Sequence, residues 1–150
     1  MRTIIIFLFL CTPIDFALAC RCANDRSQPA AFSNAYVVVL GAVTSKAALY
    51  RQDNGAQVDS AISLDPYGYS YNVMPLMWWK RTQHSAIRLQ GASEVNSCAQ
   101  IIEPRKKYLF YLNKPKSDGS FTLDLCNRVI PVEDTAAFRQ ELHNIQSKTK

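Results

Sequence analysis

The chain has 150 residues, is 48% hydrophobic and carries a net charge of +5, which suits a single domain with a real core. Its moderately basic balance favours acidic partners or anionic surfaces without identifying one. The sequence contains no phosphate loop, nucleophile motif or H-E-x-x-H zinc motif, so the common signatures of enzymes are missing.

The first predicted element is a leader peptide. Arg2 gives a basic start, and Ile4 to Leu10 is an unbroken apolar run that is too short for a membrane span of about 20 residues. The run ends in Ala17-Leu18-Ala19, the small-residue pattern of a signal cleavage site. We therefore expect residues 1–19 to be a signal peptide cut between Ala19 and Cys20. The mature protein, residues 20–150, would be secreted to an extracellular or periplasmic space.

This cut makes Cys20 the new N-terminal residue, with an α-amine and a thiol on one residue. A second interpretation of the junction stays open, because a small residue before a cysteine also suits lipoprotein processing. Cys20 would then be acylated and the protein anchored to a membrane. Leucine usually stands three residues before the cysteine in lipoprotein signals, whereas Leu18 stands one place later. Plain cleavage is therefore favoured.

Export places the mature chain in an oxidising compartment, where disulfides persist. Cys11 leaves with the leader, and four cysteines remain: Cys20, Cys22, Cys98 and Cys126. A Cys20–Cys22 bond would close a very tight ring, and either remaining pairing ties the N-terminus to two distant parts of the chain. A four-thiolate zinc site is the rival interpretation, which export disfavours.

The first half of the mature chain alternates between polar and strand-forming segments. Residues 23–34 are predicted to be an extended lead-in, and residues 35–44 a buried strand with a bulge or bend at Gly41. The polar segment 45–67, with Asn54-Gly55 as a hairpin tip, predicts either a protruding ribbon or a loop. Residues 68–81 form a second strand, in which Pro75 indicates an edge or a bulge. Trp78 and Trp79 are adjacent and should face opposite sides of the sheet.

The second half predicts three shorter strands and a helix. Residues 85–89 form a short strand, and residues 107–113 and 120–126 form a hairpin around the turn residues 116–119. Asp134 can cap a final helix, on which Phe138, Leu142 and Ile145 make one apolar stripe. Five strands followed by a helix fit a small closed or partly open barrel, with a sandwich as the alternative.

The remaining polar residues do not indicate catalysis. The two histidines, His84 and His143, are predicted to lie on the surface, so we expect no enzyme activity and no cofactor. The basic clusters Lys80-Arg81 and Arg105-Lys106-Lys107 are interpreted as a solvated face rather than a polyanion site. Export also argues against nucleic acid as a partner.

The mature start resembles a known family. Cys20-x-Cys22, followed by Pro29, Ala31-Phe32 and Asn34 before a β-branched strand, resembles the inhibitory domain of tissue inhibitors of metalloproteinases, within the wider netrin-like group. The segment from Lys107 to Tyr111, with Cys98 before it and Cys126 after it, resembles the group's middle and late cysteine regions. The likeness extends over nearly all of residues 20–145.

The resemblance implies an OB-type five-stranded barrel with a C-terminal helix and an N-terminal segment tied down by two disulfides. It pairs Cys20 with Cys98 and Cys22 with Cys126. It also implies inhibition of a zinc metalloproteinase, in which the amine and carbonyl of Cys20 chelate the protease's zinc. Arg21, which stands between Cys20 and Cys22, would enter the protease pocket adjacent to this zinc. The protein would hold no metal of its own.

Several positions depart from the family pattern. Ser33 stands where the inhibitors have a further cysteine, whose partner is missing too, and the family's C-terminal subdomain is absent. The residue after the first cysteine is usually small, but here it is Arg21, whose charge would be costly to bury unpaired. The alternative is a non-inhibitory netrin-like module, secreted or lipid-anchored, that holds an acidic protein or polyanion through the basic face or the segment 45–67.

Overall fold

The computed structural model describes residues 22, 27–50, 66–81, 86–93 and 98–148. Over these ranges the chain forms six strands and two helices. In chain order they are α1 (Gln28–Asn34), β1 (Val37–Leu49), β2 (Gly68–Lys80), β3 (Ile87–Ala92), β4 (Lys107–Leu112), β5 (Phe121–Leu123), β6 (Arg128–Pro131) and α2 (Thr135–Lys148). The described part of the protein is therefore mainly β.

All six strands belong to one sheet in the order β5-β3-β2-β1-β4-β6. Every neighbouring pair is antiparallel except β3 and β5, which run parallel. The two edge strands, β5 and β6, are joined by only four residues, Asp124 to Asn127. Such a link spans at most about 18 Å, so the sheet must curl until its edges approach each other. The result is a half-barrel, which confirms the barrel-like character of the predicted fold.

The sheet buries apolar side chains on both faces. The inner face holds the larger cluster, which includes Val39, Tyr71, Val73, Leu89 and Phe110. The outer face carries a second cluster, where the helices contribute Ala31, Phe32, Phe138 and Ile145, and the sheet contributes Val38, Leu109 and Tyr111. Trp78 packs against the inner cluster and Trp79 against the outer one, which confirms that the adjacent tryptophans face opposite sides.

The pairing of β1 with β2 is irregular at the predicted glycine. The register shifts between Leu40 and Gly41, and Gly41 pairs with Pro75. A Cβ at Gly41 would collide with Val73 Cγ1, so the close approach of the strands requires glycine. Beyond Val73, β2 has no partner strand among the described residues on its β3 side. The bulge at Gly41 and the edge position of Pro75 are both confirmed.

Three predictions in the chain's local structure were wrong. Residues 28–34 form a helix instead of an extended lead-in, because Pro29 suits the first helical turn, Ala30-Ala31 are strong helix formers, and burial of Phe32 stabilises the helix. The predicted hairpin of 107–113 with 120–126 does not form, because β5 pairs in parallel with β3. The strand count is six rather than five, because Arg128–Pro131 adds β6 beside β4.

The other predicted strands are present with altered bounds. β1 continues to Leu49 and pairs there with Gly68, so the polar segment begins as a ribbon. Its predicted tip, Asn54-Gly55, lies outside the described residues. β3 begins at Ile87 and ends at Ala92, slightly later than predicted. The turn around residues 116–119 is present, with the Gly119 N–H donating to Lys116 O over 3.0 Å.

The C-terminal helix is present as predicted. The Ala137 N–H donates to Asp134 Oδ1 over 3.3 Å, so Asp134 caps α2. Ile145 is fully buried, and Phe138 packs against the outer cluster, as the apolar stripe requires. Neither helix in the described part of the chain is both long and apolar enough to cross a membrane.

Candidate functional site at the N-terminal anchor

Cys22, the first residue that the structure describes, is bonded to Cys126. The disulfide joins residues 104 positions apart, with their Cα atoms 5.2 Å from each other. It is the pairing that the family resemblance implies, and it is incompatible with a zinc site built from all four cysteines. Cys126 lies in the short link between β5 and β6, so the bond fastens the N-terminal segment to the seam where the sheet's edges approach.

The link that receives Cys22 is held by reciprocal side-chain bonds. Asp124 Oδ1 accepts from the N–H groups of Cys126 at 2.8 Å and Asn127 at 3.2 Å, while Asn127 Oδ1 accepts from the Asp124 N–H at 2.9 Å. Asn127 is buried, and its Nδ2 donates to Tyr111 O. These bonds satisfy the backbone of the link locally. The anchor point therefore has a defined geometry.

Cys98 approaches the same seam. The Leu125 N–H donates to Cys98 O over 3.1 Å, so the backbone of Cys98 lies against the residue that precedes Cys126. With its amide group oriented to donate, Gln100 reaches the carbonyl oxygens of Asp124 at 2.8 Å and Asn127 at 3.1 Å. The structure thus brings together three of the four cysteines that follow the predicted cleavage point. The other two predicted site residues, Cys20 and Arg21, lie outside the described residues, and so does Ala19 at the predicted cleavage point.

A buried charge network stabilises the strand that leaves the seam. Arg128, the first residue of β6, forms an ion pair with Glu141 of α2. Tyr111 Oη donates to the other carboxylate oxygen of Glu141 over 3.0 Å, and Glu141 is only 2% exposed. The network joins β4, β6 and α2 directly behind the link that holds Cys126. Sequence reasoning missed Glu141, although its position three residues after Phe138 and four before Ile145 places it on the apolar stripe.

The basic clusters take part in local contacts. Lys106 Nζ forms ion pairs with Glu103 at 3.0 Å and Glu133 at 3.3 Å, and the hydrogen bonds that it donates to these carboxylates raise the pKa of Lys106. Lys80 Nζ donates to the carbonyl oxygens of Phe32 at 3.0 Å and Ser33 at 2.8 Å. Arg81 lies over the Tyr36 ring at 3.9 Å. These residues thus help to hold the loops and α1 against the sheet.

The histidines lie apart from the anchor as far as they are described. His143 is exposed on α2, as predicted, and His84 lies outside the described residues. Within the described ranges, no group of three or more His, Cys, Asp or Glu side chains could hold a metal ion.

Comparisons with known proteins do not assign the chain to a family. No family model matches the sequence, and no curated protein matches it.

Proposed function

We propose that the exported chain is a metalloproteinase inhibitor that presents the α-amine and carbonyl of Cys20 to the catalytic zinc of a target protease. One observation carries the proposal: the Cys22–Cys126 bond anchors the start of the mature chain to the seam of the half-barrel. The order β5-β3-β2-β1-β4-β6, whose two edge strands are joined by only four residues, supports an OB-type barrel.

The chemistry follows from the chain terminus. A catalytic zinc keeps one coordination position for water or substrate. An α-amine has a pKa near 8, so a neutral, metal-binding fraction exists at neutral pH. An amine and a carbonyl on the same residue can coordinate such a zinc ion together, as a chelate. Cys20 supplies both groups once the leader is removed.

The anchor supplies rigidity. Cys20 is two residues from Cys22, a distance of at most about 7 Å along the backbone, and Cys98 lies beside Leu125 at the same seam. A Cys20–Cys98 bond therefore fits the position of Cys98. Two bonds on adjacent parts of a short segment lower the entropy that the segment loses on binding.

Arg21 restricts the target. Its side chain would enter the pocket beside the zinc, where a buried, unpaired guanidinium is costly. A protease with an acidic residue in this pocket would pair with it bidentately. We therefore expect selectivity for such proteases, and Arg21→Glu should lose their inhibition while Arg21→Lys retains part of it.

The experiment compares the native N-terminus with one that carries a single additional alanine, tested against zinc proteases with acidic and apolar pockets. The extension displaces the amine from the zinc, so inhibition should be lost. An alanine added after Lys150 is the matched control and should leave inhibition unchanged. Equal inhibition by both variants would show that the amine is not the zinc ligand, and inhibition of none of the proteases by the native protein would contradict the function itself.

A further inference from the structure

The outer face of the sheet is only partly covered by the helices. Cα partners on antiparallel strands share a face, so the face can be followed in rows across β4, β1 and β2. The row Tyr111–Val38–Lys80 lies beneath the helices, followed by Leu109–Leu40–Met77 and Lys107–Ala42–Met74. Leu109 is buried, but Met77 is 52% and Met74 51% exposed. The apolar surface therefore continues beyond the helices.

The bulge in β2 adds a third exposed apolar side chain. Gly41 pairs with Pro75 and Leu40 with Met77, which leaves Leu76 as the extra residue. Leu76 is 44% exposed. Met74, Leu76 and Met77, here called the apolar strip, also lie beyond Val73, where the pairing of β2 with β3 ends. Among the described strands, the apolar strip therefore lies beyond the last β2–β3 pair, with Met74 and Met77 on the convex side of the half-barrel.

Basic residues surround the strip. Lys107 shares the row of Met74, and the exposed Arg81 directly follows the last residue of β2. Arg88 pairs with Asn72, two residues before Met74. Among the described contacts of these three cations there is one carboxylate, Asp118, which forms an ion pair with Arg88 at 3.1 Å. The surroundings of the strip therefore carry a net positive charge and complement an anionic surface.

We infer that the apolar strip docks on an anionic lipid surface, whether or not Cys20 is acylated. The strip would enter the boundary between headgroups and acyl chains, and the basic residues would meet the anionic headgroups. A convex surface with flexible methionines suits a deformable lipid layer. A second copy of the chain fits poorly, because a two-fold contact would bring the same three cations against each other.

The test is sedimentation of the exported protein with two kinds of vesicle, one of phosphatidylcholine alone and one of equal parts phosphatidylcholine and phosphatidylserine. The quantity compared is the difference in the sedimented fraction of protein between the two kinds of vesicle, because an acyl chain on Cys20 would bind both kinds alike. We expect stronger binding to the anionic vesicles, which the triple variant Met74→Ser/Leu76→Ser/Met77→Ser weakens roughly tenfold or more. Lys107→Glu should weaken it at least about fivefold at low salt.

Matched controls separate the strip from general effects. Ile101 is 55% exposed elsewhere on the surface, so Ile101→Ser should leave binding unchanged, as should Lys114→Glu. Thermal unfolding of each variant verifies the fold. Equal sedimentation with both vesicles, or unchanged binding of the triple variant, would overturn the inference. So would a dimer in solution that the triple variant dissociates while the wild-type protein binds neither vesicle.

Discussion

The two ends of the described chain attach to the sheet by different means. The C-terminal helix α2 packs Phe138 and Ile145 into the outer cluster and adds the buried Glu141–Arg128 pair. The N-terminal segment reaches the seam through the Cys22–Cys126 disulfide, ahead of the short helix α1. One attachment depends on burial and the other on a covalent bond.

The difference follows from what each segment can bury. A helix of 14 residues offers a full apolar stripe, whose burial stabilises it by several kcal/mol. The sequence from Arg21 to Arg26 is short and mostly polar, so it offers little apolar surface to offset the entropy of ordering it. A disulfide can hold such a segment without burial of apolar side chains.

Removing the N-terminal anchor should have the largest effect on stability. The bond closes a loop with a sequence separation of 104, and Cys22→Ser/Cys126→Ser should lower the free energy of unfolding by up to about 4 kcal/mol. Urea unfolding measures the loss, with Ser117→Ala on the exposed turn as control. Compared with the amides of the sheet, the amides of α2 should remain as protected from hydrogen exchange as they are in the wild-type protein. Selective loss of protection in α2 would show that the two attachments are coupled.

Breaking the Glu141–Arg128 ion pair at the other end should lower the free energy of unfolding by slightly less. Glu141→Ala leaves Tyr111 Oη and Arg128 without their carboxylate, and should destabilise the fold by about 3 kcal/mol. Arg139→Ala, an exposed change on the same helix, is the control. The apolar pair Arg128→Met/Glu141→Leu should recover most of the loss. A Glu141→Ala protein as stable as wild type would contradict the structural role of this network.

The sheet to which both ends attach can be destabilised by a substitution at Gly41. Gly41→Ala places a Cβ against Val73 Cγ1 and should destabilise the protein by about 2 kcal/mol through overpacking. In the double variant Gly41→Ala/Val73→Ala the collision is removed. The double-mutant cycle should therefore show a favourable coupling between the two positions. Additive losses would mean that β1 and β2 are not in contact at this bulge.

The smallest expected effect concerns an exposed loop that joins neither end. Two hydrogen bonds from Ser120, first its hydroxyl and then its N–H, lower the pKa of Asp118. A lowered pKa in the folded state adds stability above the unfolded value near 3.9, and this is lost as the pH falls through the folded pKa. Asp118→Asn should therefore flatten the stability profile below about pH 4. Asp134→Asn serves as the comparison, and identical acid profiles for wild type and Asp118→Asn would refute the assignment.

The sequence predicted those parts of the fold that have strong local patterns. The β-branched run 35–44, the aromatic run 68–81 and the stripe on α2 all indicated the correct element. β6 was missed because Arg128-Val129-Ile130-Pro131 is short and has no alternation. The parallel β3–β5 pairing was missed because it depends on contacts between distant residues, whereas the turn at 116–119 favoured a local hairpin.

The candidate site was predictable only in its cysteines. The Cys22–Cys126 pairing followed from a family resemblance, since the spacing alone left two pairings open. The reciprocal bonds of Asp124 and Asn127 involve residue types that are common in any turn, so they carried no specific signal. Glu141 did carry a specific signal, because it is a charged residue on an apolar stripe. Its partner Arg128 could not be identified without the fold.

We propose that the mature protein begins with an unmodified Cys20 held at the seam of the half-barrel. Mass spectrometry of the non-reduced N-terminal peptide from the native host tests it directly. We predict a peptide that begins at Cys20, carries an unmodified α-amine and is disulfide-linked to Cys98. An acylated Cys20 amine, or a mature chain that begins at another residue, would contradict the claim.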